Sequence, residues 1–350
     1  MSNKLKAREL YRLDQLPIFQ NRMYPTEAEA KACPKGDMLL VEDHQSGLIY
    51  NAKFRPELMN YDGCYQNEQG VSQFFREHLD SVTTIVERCL GSESIVEVGC
   101  GKGFFLEMLL EKGFDVTGFD PTYEGNNPRV RRHNFEIGVG IQAGGLILRH
   151  VLEHIQDPYN FLVELKAANG GKGKVYIEVP CFDWILKHSA WFDIFYEHVN
   201  YFRLADFQRM FGSLIEGGRL FGEQYLYIVA DLETLRRPEM EPNDRVDMPE
   251  SFSNKLSASS QAAIWGGASK GVIFALLMER AGQAVNLVID INPAKQGLYL
   301  PATGLLVHSP NDALATLSKG SIIYVMNSNY LNEIKQMSKN LFHYIEIDHE

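Results

Sequence analysis

The chain has 350 residues, 45% of them apolar and 23% charged, with a formal net charge of −11 at pH 7. This length suits two domains or one with a substantial extension, and the composition is that of a globular protein. The acidic balance argues against nucleic acid as the main partner. No apolar run approaches the ~20 residues of a membrane span, and the polar start MSNKLKAREL is no signal peptide. Cys33, Cys64, Cys89, Cys100 and Cys181 are scattered with no C-x-x-C pair, so they read as reduced thiols of a cytoplasmic protein.

Residues 1–70 alternate turn formers (Pro17, Pro25, Pro34, Gly36, Gly47, Pro56, Gly63) with short apolar runs, which predicts a small β-rich cap. The run 71–90, VSQFFREHLDSVTTIVERCL, is apolar at helical spacing. It leads into SIVEVGCGKGFFLEMLLEKGFDVTGFDP, 94–121, a strand, a glycine turn, a helix and a second strand ending in an acid. Gly99, Gly101 and Gly103 allow a backbone turn tight enough for a ligand to lie against it. Phe104 to Lys112 forms the helix, closed by Gly113. Asp120 stands seventeen residues beyond Gly103, where a carboxylate at the sheet edge can take the hydroxyls of a ribose. Both a dinucleotide and a sulfonium nucleoside suit such a turn.

The spacing G-x-G-x-G preceded by Glu97 resembles the first motif of class I S-adenosylmethionine-dependent methyltransferases. The resemblance implies S-adenosylmethionine as cofactor, with Glu97 holding its cationic end and Gly99, Gly101, Gly103 and Asp120 around it. The segment PTYEGNNPRVRRHNF reads as a loop whose Arg129, Arg131 and Arg132 form a solvated face or meet an anionic substrate. Leu146-Ile147-Leu148 is the next central strand, and the following Arg149-His150-Val151-Leu152-Glu153-His154 resembles the family's fourth motif. That adds Arg149 and His150 to the cofactor residues, and His154 is either a loop histidine or a substrate ligand. A helix follows from Tyr159 to Ala168, then the buried parallel strand Lys174 to Pro180.

The run Trp191 to Phe202, WFDIFYEHVNYF, places Glu197 and His198 among dense aromatics. It resembles the Tyr-His-Glu-His run of keto-sugar C-methyltransferases, whose last histidine is linked to deprotonating carbon. Glu197 and His198 match that run, whereas Phe195 and Tyr196 depart from it. The resemblance implies His198, Glu197, Tyr196 and His154 as catalytic residues, with His198 as a general base near the working pH, and Tyr65 and Tyr201 against the substrate. The same family carries an N-terminal zinc module. Here Asp43-His44-Gln45-Ser46-Gly47 stands where its C-x-x-C-G would be, so no metal is expected.

Leu204 to Phe211 reads as a helix, Gln224 to Asp231 as an edge strand closing the first sheet, and 233–258 as a proline-bearing linker. A second strand, turn and helix unit begins at Ala263, with Gly266-Gly267-Ala268-Ser269-Lys270-Gly271 as its turn. A strand from Val285 to Ile289 ends in Asp290, before Asn292-Pro293-Ala294-Lys295-Gln296-Gly297. This turn cradles a substrate's phosphates, with Lys270 as ligand, or binds a nicotinamide dinucleotide. The expected architecture is α/β: a cap (1–70), a class I methyltransferase Rossmann-like sheet (71–232), a linker, and a second Rossmann-like domain (259–350). The expected function is methylation of a small polar acceptor, with no membrane partner. The target is carbon beside a carbonyl in a nucleotide keto-sugar or related metabolite, or else oxygen or nitrogen.

Overall fold

The computed structural model describes residues 7–59, 70, 72–91, 93–249, 262–283 and 285–348. Tyr65 and the end of the linker lie outside them. Three sheets carry the fold. The cap sheet pairs β1 (Ala7–Pro17), β2 (Lys35–Asp43) and β3 (Ile49–Asn51) antiparallel. Its fourth strand comes from far along the chain, for β9 (Asn200–Tyr201) pairs with β3.

The central sheet has seven strands: β4 (Ile95–Val98), β5 (Val116–Phe119), β6 (Val130–Arg131), β7 (Gly145–Arg149), β8 (Lys174–Pro180), β10 (Leu214–Leu220) and β11 (Tyr225–Asp231). They lie in the order β10-β11-β8-β7-β4-β5-β6. The four inner pairings from β8 to β6 are parallel, while β11 and β10 join antiparallel. Gln224 to Asp231 is therefore one strand in from the edge that was expected. β10 is the edge, and it carries Gly217 and Gly218 in its middle, which hid it as a strand. β6 likewise lies inside the segment read as a loop.

Helices cover the sheet. In α2 (Gln73–Leu90), Ser72 caps the first turn by accepting the Phe75 N–H, and Phe75, Leu79, Val82 and Val86 face inward. α3 (Phe104–Glu111) follows the glycine turn, and α4 (Pro158–Ala168) starts on an Asp157 cap with proline in its first turn. The short helix α5 (Phe182–Lys187), not anticipated, follows β8, and α6 (Leu204–Met210) follows β9.

The third sheet is all parallel, in the order β14 (Val307–His308), β13 (Leu287–Ile289), β12 (Ala263–Trp265), β15 (Ile322–Val325), β16 (His343–Glu346). α7 (Ser269–Arg280) follows its glycine turn. A Cβ on Gly271 would stand 1.9 Å from the Gly266 carbonyl, so only glycine lets this helix close on its own turn.

Polar contacts join the units. The Glu333 carboxylate accepts from the Ser72 hydroxyl and the Phe74 N–H (2.9 Å), so the C-terminal domain caps α2. Part of the segment read as a linker is a strap along the cap. Met240 N–H donates to the Gln45 carbonyl, Val246 N–H to Glu42, and Asp244 pairs with Arg203 and Arg209.

Candidate functional site

The carboxyl edges of the central and third sheets face each other across one cavity of ≈ 410 Å³. From the first come Gly99 to Lys102 after β4, Arg149 to His154 after β7, and Pro180 at the end of β8. From the second come the turn after β12, Asp290 to Asn292 after β13, and Asn327 after β15. Strand ends in parallel sheets are where ligands bind.

Glu97, next to last in β4, is 4% exposed, and its Oε2 has no hydrogen-bond partner among the described residues. Burial pushes its carboxyl up to about 7, against the pull of the Arg149 guanidinium and with a further push from Asp120. The turn beyond it is left-handed at Gly99, Gly101 and Gly103. A Cβ on Gly99 would strike Val151 at 2.6 Å, whereas one on Gly101 would meet nothing within 4 Å and project into open space. Asp120 accepts the Gly101 N–H (2.8 Å) through one oxygen and the Thr122 N–H (2.8 Å) through the other. It thus braces the turn as well as offering its remaining lone pairs. Asp290 repeats this arrangement in the third sheet, accepting from Gly267 N–H (2.9 Å) and Asn292 N–H (2.8 Å).

Arg149 and His150 line the cavity and share a buried partner that sequence reasoning missed. Glu178, in the middle of β8 and fully buried, lies 3.0 Å from Arg149, 3.3 Å from His150 and 3.3 Å from His78, and accepts the Tyr176 hydroxyl at 2.8 Å. Burial would raise this carboxyl, but Arg149, His78 and His150 together hold it well below the usual carboxylate range. Burial would likewise lower His150; its contacts with Glu153 and Glu178 outweigh that and raise it to about 9. An acid inside the apolar run KVYIEVP was the signal in the sequence.

His154 and His198 also line the cavity, their rings 5.0 Å apart. The Val199 N–H donates to the Glu153 carbonyl, which docks the aromatic loop against the turn after β7 and sets this pairing. His154 donates its Nδ1–H to the Glu197 carbonyl (2.9 Å), leaving Nε2 free for another role. His198 is 8% exposed, and its Nδ1 has no partner. Burial, with the nearby His154 and His150, depresses it well below the ordinary histidine value. In the cavity without ligand this direction runs against the expectation of a base poised near neutral pH.

Three further expectations change place. The Glu197 carboxylate accepts the Gln20 N–H (2.9 Å) and so serves the cap. The Tyr196 hydroxyl accepts the Arg55 N–H (2.9 Å), its ring buried against Phe54. The Tyr201 hydroxyl is bonded to both the N–H and the carbonyl of Phe195. None of the three is among the cavity's lining residues. Lys270 does line it, with its ammonium 3.3 Å from Asp193, donating to Gln224 (2.8 Å) and over the Trp184 ring. It is a seam between the two domains. Arg129, Arg131 and Arg132 are exposed, with Arg129 paired to Asp115.

Residues 71–213, which include α2, the Glu97 turn and the His198 loop, match the family model described as a methyltransferase domain. This segment is a methyltransferase domain. Solved structures similar to the chain include three bacterial methyltransferases. One is a magnesium protoporphyrin IX methyltransferase from Synechocystis PCC 6803 with bound S-adenosylhomocysteine (16% identity, TM-score 0.35, 45% of this chain and 82% of that one). Another is 1,6-didemethyltoxoflavin-N1-methyltransferase from Burkholderia thailandensis (16%, 0.35, 49% and 83%). The third is the N-methyltransferase NodS from Bradyrhizobium japonicum WM9 (15%, 0.35, 50% and 94%). No curated protein matches the chain. No helix among the described residues is long and apolar enough to cross a membrane.

S-adenosylmethionine is the methyl donor expected of the Glu97 turn. The residues present fit it. Glu97 offers an unpartnered buried carboxylate oxygen to a cationic group, the Gly101 turn leaves space that any side chain would fill, and Asp120 closes the next strand.

Proposed function

We propose that this methyltransferase alkylates carbon beside a carbonyl in a small polar acceptor, with a nucleotide-linked keto-sugar as the acceptor class. One observation carries the reading: the donor turn, the His154–His198 pair and the second glycine turn all open onto the same cavity. Bound there, S-adenosylmethionine supplies an electrophilic methyl group on a sulfonium. Glu97 holds the cationic end, Asp120 takes the ribose, and the turn at Gly101 lets the donor lie against the backbone. The acceptor enters between the sheets, its phosphates toward the turn at Gly266 to Lys270 and its reacting carbon against His154 and His198. Phe195, its ring 4.0 Å from that of His198, keeps water from that edge. In-line transfer then needs positioning more than further chemistry on the donor, but the acceptor must first lose a proton from carbon.

The test follows that proton. The enzyme is incubated in deuterated water with a thymidine-diphospho-4-keto-6-deoxyhexose and S-adenosylhomocysteine, and the sugar is analysed by NMR. Exchange at the carbon beside the ketone supports the reading. No exchange, together with methyl transfer to oxygen or nitrogen in a product screen, refutes it.

A further inference from the structure

Where the acceptor's proton leaves, the chain gathers three groups that two unconnected stretches supply. Glu153 and His154 come from the turn after β7, and His198 from the aromatic loop. One ligand-capable atom of each lies within 4.8 Å of the others. Glu153 is 1% exposed and His198 8%, yet Glu153 Oε2 and His198 Nδ1 have no hydrogen-bond partner among the described residues. Buried polar atoms are almost always satisfied, so two orphans in one cluster call for a ligand that supplies the missing contact.

We infer that Glu153, His154 and His198 form a binding site for one divalent transition cation of the zinc, manganese or iron(II) class, at the acceptor end of the cavity.

The donor chemistry fits that class. Two imidazoles and one carboxylate suit these cations better than magnesium or calcium, which prefer oxygen. Two of the three side chains are also braced from behind, as metal ligands are. His154 donates Nδ1–H to the Glu197 carbonyl at 2.9 Å, which fixes its tautomer and leaves Nε2 to coordinate. Glu153 takes the His150 Nδ1 at 3.2 Å on one oxygen and keeps the other. Ligand bonds of ~2.1 Å would set these atoms closer together than they stand, a difference that side-chain rotation can close. The three groups line the cavity, so the remaining coordination positions open toward the acceptor. A carbonyl oxygen bound there would be polarised and its neighbouring C–H made more acidic. His198 would then be a ligand, and a hydroxide in another coordination position of the cation would take the proton from carbon and become water, in place of the free base that the resemblance implied. The Asp43–Gly47 stretch of the cap is not among the cation's ligands.

The inference rests on the C-methylation reading only for the cation's purpose; the site itself is tested apart from it. The full-length protein is dialysed against a chelator and titrated with zinc, and separately with manganese, by calorimetry. Wild type is expected to bind one equivalent. Glu153→Gln, His154→Ala and His198→Ala should each weaken binding by ~10-fold or more, while S-adenosylhomocysteine affinity stays within about twofold, which shows that the variants fold. Cobalt(II) in place of zinc should give a visible absorption band that Glu153→Gln loses. No saturable binding in wild type, or equal binding in all three variants, overturns the site. The exchange experiment then separates the two readings. Exchange equally fast in chelated and zinc-loaded enzyme overturns the cation's role while C-methylation stands. Absence of exchange in both, with zinc still bound, refutes C-methylation and leaves the site in place.

Discussion

Glu97 gives the sharpest test of the donor site, because its state can be counted in protons. Its carboxyl rises from 4.5 to about 7 on burial. At ~1.4 kcal/mol per unit this amounts to ~3 kcal/mol against ionising it in the empty pocket. The ammonium at the amino-acid end of the donor, which S-adenosylhomocysteine shares, needs the ionised form, so binding competes with protonation, and apparent affinity should fall as pH drops below 7. With a folded value near 7, S-adenosylhomocysteine should bind ~10-fold more weakly at about pH 6 than at about pH 7.5. Near pH 7 each binding event should release about half a proton. Glu97→Gln removes the charge, so affinity at about pH 7.5 should fall ~10–100-fold, the range for a hydrogen bond to a charged group, and the pH slope should vanish. Calorimetry in two buffers of different ionisation enthalpy reads both quantities. A wild-type affinity flat across this range, or a slope that survives in Glu97→Gln, would refute the reasoning. The same group has a consequence for the ligand-free protein. A raised acid binds more protons folded than unfolded between 4.5 and about 7, so its ionisation lowers stability as pH climbs through that window.

Other outcomes follow from the same geometry. Gly101→Ala puts a methyl group where the donor lies and should weaken S-adenosylhomocysteine binding ~10-fold or more, while unfolding in urea should show a loss of only ~1–2 kcal/mol from the left-handed backbone and none from crowding, because the methyl meets no protein atom. Asp120→Ala should also weaken that binding, and it should raise hydrogen exchange at the Gly101 amide, which loses its acceptor; equal affinities would sink the ribose assignment. His150, raised to about 9, contributes stability that is complete below ~6.5 and lost as pH rises through 9, so the stability gap between wild type and His150→Gln should narrow from pH 7 to 9.5 in urea titrations. Asp206 is buried between Arg203 and Arg209, and Asp206→Ala should cost ~3–5 kcal/mol by leaving both cations without it; a loss under ~1 kcal/mol would mean water already reaches them.

The glycine turn, the strand-ending acids and the two parallel units were readable because each depends on local spacing: period-two or buried apolar runs, then Gly99 or Gly266, then Asp120 or Asp290. β10 escaped because an edge strand needs little side-chain burial, and its two glycines mimic a turn. The site was legible in its residue types more than in their aim. Whether Glu197 or Glu153 faces the histidines depends on how a loop docks forty residues later in the chain. The deciding bond, Val199 N–H to the Glu153 carbonyl, has no sequence signature. Tyr196 and Tyr201 were placed by proximity in sequence to His198, but the chain turns at Tyr196–Glu197, and the Tyr196 hydroxyl goes to the Arg55 N–H of the cap while that of Tyr201 returns to Phe195.

The cap's last strand has a consequence for synthesis. Ile49 pairs with Tyr201, about 150 residues later, so the amino-terminal sheet emerges from the ribosome with one side open and stays so until the methyltransferase sheet has largely been made. Its closure costs the loop entropy of an entire domain, and it can happen only when the loop carrying His198 arrives. A nascent chain stalled before residue 200 would hold a complete donor turn beside an unfinished cap. The competent acceptor edge is among the last things the molecule assembles.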